Sequence, residues 1–160
     1  MDVCVEVGKN IFNFRVAAVI KNKDRILLHH AIDKNHVTLP GGRVMSGEDT
    51  ITAIKREILE EIGQDTKYVK SRAYIENFFE MNGKDYHEIL VVHELEFKNK
   101  EMYEKETIEA VEPNKINKLE FLWCNTKDLK DREFLPQSLA NVLQNENEDF
   151  VHKINDERKK

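Results

Sequence analysis

Residues 42–64, GRVMSGEDTITAIKREILEEIGQ, constrain this chain more than any other stretch. They set Gly42, Glu48, Arg56, Glu57, Glu60, Glu61 and Gly63 in the pattern G-x5-E-x7-R-E-I-x-E-E-x-G. At ordinary residue usage such a pattern arises by chance roughly once in 10⁹ starting points, so it is not an accident of composition. From Asp49 to Ile62 the residues Ile51, Ile54, Ile58 and Ile62 recur at three and four, which is one stripe of a helix. Glu57, Glu60 and Glu61 fall on a second face, about 110° around from the first at roughly 100° per residue. Ser46, with Asp49 three residues on, supplies an N-cap and an acidic first turn. Gly63 stands where a helix end takes a left-handed residue.

Three acids on one patch repel each other at this spacing. Lys55 and Arg56 are the only bases nearby, and the sequence predicts that they leave the cluster without neutralisation from within the helix. Acids gathered against their own repulsion call for a cation. Carboxylate oxygens suit Mg²⁺ or Mn²⁺ and not zinc, which prefers Cys and His. A diphosphate about 4 Å from a carboxylate is repelled by ~4 kcal/mol per charge pair at an effective dielectric near ~20. Bound divalent ions reverse that sign, neutralise phosphate oxygens and acidify a coordinated water. The preceding Leu39-Pro40-Gly41-Gly42 places two adjacent glycines where the backbone can approach a ligand closely.

The pattern resembles the Nudix box of the Nudix (MutT-like) pyrophosphohydrolases. The resemblance implies metal-dependent hydrolysis of a nucleoside diphosphate linked to a moiety X, by water attack at phosphorus. It also implies that Glu57, Glu60 and Glu61 are the carboxylates of the metal site, with Glu60 the preferred general base. Arg56 resembles the arginine that orients a signature glutamate, Glu48 resembles the acid at the helix entry, and a carbonyl of Gly41 or Gly42 would add a ligand. One departure is Gln64, where the family carries an aliphatic residue that packs instead of reacting.

The flanks alternate between strand and helix. Phe14 to Ile20 and Arg25 to His30 are apolar runs around Lys21-Asn22-Lys23-Asp24, a hairpin pattern. Tyr68 to Met81 and Tyr86 to Phe97 flank Asn82-Gly83, the strongest short hairpin signal. A two-residue turn there pairs Phe79 with Tyr86 and Phe78 with His87. Leu119 to Cys124 reads as a strand, and Leu135 to Leu143 as a helix with Pro136 in its first turn. A mixed β-sheet between helices follows, and the resemblance makes it the Nudix α/β/α sandwich.

At 160 residues the chain is read as one domain over 1–145, with 146–160 a charged tail or a frayed terminal helix. No apolar run reaches membrane-span length and no signal-peptide pattern opens the chain. Cys4 and Cys124 are too few for a disulfide framework or metal motif, so a cytoplasmic setting is the expectation. A net charge of −5 argues against affinity for polymeric nucleic acid. The expected partner is a small nucleotide diphosphate derivative; a homodimer is compatible with the sequence.

Residues 98–118 are charged and without clean periodicity, and read as a surface loop. The resemblance adds that one of Glu101, Glu104, Glu106, Glu109 or Glu112 could reach the metal. Phe78, Phe79, Tyr86 and Trp123 are candidates to stack a base, with Phe79 and Tyr86 preferred as substrate-binding residues. His87 and Glu88 fall on opposite faces of a strand, so at most one faces a pocket.

Markers that the resemblance would bring for ADP-ribose, dinucleoside polyphosphate, coenzyme A and NADH substrates are missing. No proline occurs between Pro40 and Pro113, for example. A nucleoside triphosphate or a nucleotide sugar remains. The rival of another class is a catalytically silent nucleotide sensor, but such domains lose acids that this chain keeps. A Nudix-like isomerase is disfavoured because no cysteine lies beside the Leu39–Gly42 loop.

Overall fold

The computed structural model describes residues 1–31, 35–111, 119–145 and 149–158. Among these residues eleven strands and two α-helices follow one another as β1 (Cys4–Val7), β2 (Asn10–Asn22), β3 (Arg25–Ala31), β4 (Val37–Thr38), β5 (Gly41–Arg43), α1 (Thr50–Ile62), β6 (Thr66–Met81), β7 (Lys84–Phe97), β8 (Thr107–Glu109), β9 (Leu119–Asn125), β10 (Phe134–Leu135), α2 (Gln137–Gln144) and β11 (Val151–Asp156). The strands join in the order β10-β4-β3-β2-β7-β6-β11, with β1 and β5 also on β2, and β8 reaching the sheet through β9. The sheet is mixed: β2–β7, β6–β11 and β10–β4 are parallel, the other pairs antiparallel.

β2 is buried on both faces, and its period of two divides the core. Val16, Ala18 and Ile20 pack with Ile54, Ile58 and Ile62 of α1. Ala17 and Val19 point the other way, into a cluster with Leu139, Ala140 and Leu143 of α2. The predicted stripe is therefore the buried face of α1, and helix, sheet and helix form the three layers expected. The start of α1 is tied to the sheet through His93, whose ring nitrogens lie 3.1 Å from Ser71 Oγ and 2.9 Å from Thr50 Oγ1.

Both hairpins form. Lys23 at φ 58° turns the first, while Asn82 and Gly83 at φ 54° and 74° turn the second, the paired positive values that a tight two-residue turn needs. Its register sets Phe79 opposite Tyr86 and Phe78 opposite His87, as predicted.

Four expectations need correction. The N-cap is Asp49 and not Ser46: its carboxylate accepts from the backbone N–H of Ile51 and Thr52, at 3.0 and 2.9 Å. The second helix starts at Gln137, because Phe134 and Leu135 are drawn into a parallel pair with Val37 and Thr38. Within 98–118 the chain forms a 3-10 turn at Lys100–Glu104 and the strand β8 on β9, not a featureless loop. The supposed terminal helix contains a strand instead: Val151–Asp156 runs parallel to Ala73–Phe78 of β6. Its backbone completes the sheet edge, although Ile154 is 66% exposed.

Candidate active site

The site forms where β3 leaves β2 and the short β5 takes its place. Gly41 and Gly42 pair with Ala17 and Val16, and Pro40 O accepts from Ala18 N–H at 2.8 Å. This lays the glycine backbone directly beneath α1. A side chain at Gly42 would meet the Glu57 carboxylate, whose nearest atom lies 2.2 Å from an ideal Cβ position. Glycine is required there to admit the acid.

Arg56 is the centre of the acidic cluster. Its Nε and Nη2 donate to the two oxygens of Glu48 at 2.8 and 2.9 Å, while Nη2 also reaches Arg43 O at 3.0 Å. Nη1 donates to Glu57 at 2.8 Å and Glu60 at 3.1 Å. All five guanidinium donors are thus used. This corrects the sequence reading of an unneutralised cluster: Arg56 bridges two acids of the helix, Glu57 and Glu60, to Glu48 ahead of it. Glu48 in turn accepts from Met45 N–H at 3.0 Å, and the bonds from Arg56 hold its carboxyl below the usual range.

Glu61 is left out of this arrangement. Its Oε2 is buried without a hydrogen-bond partner. Burial, reinforced by the Glu57 charge, pushes its carboxyl up to about 8, with Arg15 pulling the other way. Glu57 is also pushed up, mainly by burial, against the opposing bond from Arg56. Glu60 sits at the rim with its side chain 52% exposed. Among the described residues no group of three or more acids, histidines or cysteines is drawn together as a metal cage. The donor set is nevertheless all oxygen, and the orphaned buried Glu61 oxygen near the Glu57 carboxylate is what a hard cation would satisfy.

A cleft of about 880 Å³ opens from Glu57 and Gly42 across the α2 side of the sheet, within the size range of small-molecule sites. Arg15 and Arg43 line its near part, and Phe79 and Tyr86 its far wall, their rings stacked at 4.9 Å. Glu88 lies on its floor, whereas His87 packs on the opposite face of the sheet between Phe12 and Phe78. Trp123 is buried in the α1-side core. Of the late acids, Glu112 falls outside the described residues. Val111 N–H donates to Glu61 O at 2.8 Å, which brings the stretch after β8 against the end of α1. Sequence reasoning missed Arg15, Asn13 and Asn77 in the cleft, since nothing local marks them.

The sequence matches the NUDIX domain family model over residues 12–145. The chain belongs to the Nudix hydrolase family. Solved structures agree in fold. A MutT NUDIX hydrolase from Burkholderia pseudomallei is 24% identical at TM-score 0.63, over 83% of this chain and 96% of that one. An ADP-ribose pyrophosphatase from Streptococcus suis is 17% identical at TM-score 0.60, over 89% and 98%. A UDP-X diphosphatase is 17% identical at TM-score 0.60, over 86% and 66%. No curated protein matches the chain. Among the described residues no helix of this Nudix protein is long and apolar enough to cross a membrane.

Proposed function

We propose that this protein hydrolyses the phosphoric anhydride bond of a small nucleoside diphosphate linked to X, such as a nucleoside triphosphate or a nucleotide sugar. The observation that carries the reading is the unpartnered, buried Glu61 carboxylate beside Glu57, which itself lines one end of a nucleotide-sized cleft. Glu57, Glu61 and Glu60 would hold Mg²⁺ or Mn²⁺, with the Gly42 backbone beside them. A divalent ion bound there neutralises phosphate oxygens and supplies an acidified water.

The chain's own residues do the rest. Arg15, a permanent cation in the cleft, orients the diphosphate toward the acids. Arg56 fixes Glu57 from one side while Glu48 fixes Arg56, so the helix acids keep one geometry. Glu60, at the solvent rim, takes the proton of the attacking water. Oxygen attacks phosphorus, the anhydride P–O bond breaks, and a nucleoside monophosphate and phosphorylated X leave. Phe79 and Tyr86 offer an aromatic wall for a base. Product release from a panel of nucleoside triphosphates and nucleotide sugars, each with Mg²⁺, Mn²⁺ or EDTA, tests the reading. Turnover with metal alone supports it, and none on any substrate with either metal overturns it.

A further inference from the structure

The cleft floor carries a chain of hydrogen bonds whose direction is fixed at both ends. Arg43 Nε can only donate, and it donates to Asn13 Oδ1 at 3.2 Å. The Asn13 amide nitrogen must therefore face Glu88, and it donates to Oε2 at 2.9 Å. From the other side Ser138 N–H donates to Asn155 Oδ1 at 3.4 Å, and Asn155 Nδ2 donates to Asn77 Oδ1 at 2.9 Å. Asn77 Nδ2 then donates to Glu88 Oε1 at 3.1 Å. Glu88 is where both branches end. It is 5% exposed and still lines the cleft.

A carboxylate has roughly four acceptor positions, and each Glu88 oxygen uses one on an asparagine. What remains is a pair of adjacent acceptors and no donor. Phe79–Tyr86 and Asn77–Glu88 are paired two residues apart on the same faces of β6 and β7, so ring wall and carboxylate are about 7 Å apart along the strands. Rings and carboxylate therefore line the same cleft within the span of one purine.

We infer that Glu88 is a specificity-determining residue that selects a base presenting two adjacent N–H donors, the guanine edge, over one that presents an acceptor there, as adenine does. The inference rests on the nucleotide reading above and deepens it. A sugar diol also offers two donors but has no flat face for Phe79 and Tyr86. Hypoxanthine keeps the ring N–H and lacks the second donor, so it belongs between the two purines.

Calorimetric titration of the protein with GMP, IMP and AMP in Mg²⁺ buffer tests this apart from catalysis. GMP should bind about 10–100-fold tighter than AMP, the usual value of a paired base contact, with IMP between. Glu88→Gln, which turns one acceptor into a donor and so gives up one of the two asparagine bonds, should lower Tm and bring the GMP-to-AMP ratio of the folded protein near one. If that variant fails to fold, the wild-type series decides alone. Equal affinity for GMP and AMP, or binding of neither at millimolar concentration, overturns the inference. Hydrolysis of GTP and ATP at equal kcat/KM would leave the hydrolase reading standing and remove this one. Base discrimination without any hydrolysis would do the reverse.

Discussion

The Glu57 carboxylate occupies the space where a side chain at Gly42 would be, 2.2 Å from an ideal Cβ position. Gly41, its neighbour, faces backbone instead: a Cβ there would lie 2.1 Å from Val16 O. The two adjacent glycines therefore fail differently. Gly42→Ala displaces the flexible end of one acid, so the fold should persist while kcat falls by about 10²-fold or more. Gly41→Ala pushes β5 off β2 and should lower Tm well below that of Gly42→Ala. Thermal melts and initial rates on the two variants check the contrast; equal melting temperatures would contradict it.

Replacing Glu57, Glu60 or Glu61 by Gln keeps shape and removes charge. The fold should survive each change, with kcat reduced by about 10²–10⁴-fold where a proton acceptor is lost and the required Mg²⁺ concentration raised where a ligand is lost. Ile54, fully buried against the sheet, is the control. Ile54→Ala should cost about 2–5 kcal/mol of stability and leave the folded fraction active. Near wild-type rates in all three Gln variants would remove the catalytic role of α1.

Stability without metal should fall as pH rises. The Glu61 carboxyl titrates at about 8 in the folded protein against 4.5 for an ordinary Glu, so the folded state holds its proton more tightly than the unfolded chain. Its stabilising effect is complete below about 4.5 and is lost as pH rises through about 8. His93, whose ring burial pushes down, works in the opposite sense at acid pH. Subtracting the Tm of Glu61→Gln from that of wild type across pH 5–9 in EDTA (roughly the span in which linkage acts) cancels His93. The difference should fall with pH and flatten when millimolar Mg²⁺ is added. A flat difference in EDTA would show that Glu61 is not held in a desolvated site.

Activity should need a divalent ion and rise toward alkaline pH, since the attacking water and its base both act deprotonated. Mg²⁺ should also raise Tm by mass action. Undiminished turnover in excess EDTA, or no Tm shift at millimolar Mg²⁺, would contradict the metal reading.

Helix α1 was legible because its information is local. Ile51, Ile54, Ile58 and Ile62 follow one period, Gly63 closes the helix at φ 73° as glycine can, and Asn82-Gly83 fixes a hairpin register without help from distant residues. The start of α1 was misplaced at Ser46 on the same ground: Ser46 and Asp49 are both residues that cap well, and the turn geometry that chooses Asp49 is not written in either. The charge balance was misjudged because Arg56 reaches Glu48, eight residues back, as well as its helix neighbours. Strand β11 was hidden for another reason. It shows no apolar alternation, with Ile154 facing solvent and the polar Asn155 buried, while its backbone bonds to β6 carry it. Glu88 could be assigned a strand but not partners, since Asn13 lies 75 positions away in sequence.

Strand β11 also ties the end of the described chain to the cleft. Asn155 orients Asn77, and Glu157, anchored by its N–H to Phe78 O at 2.8 Å, forms part of the cleft wall. Residues from both ends of the described chain therefore shape one cleft, Asn13 and Arg15 of β2 on one side and Glu157 on the other.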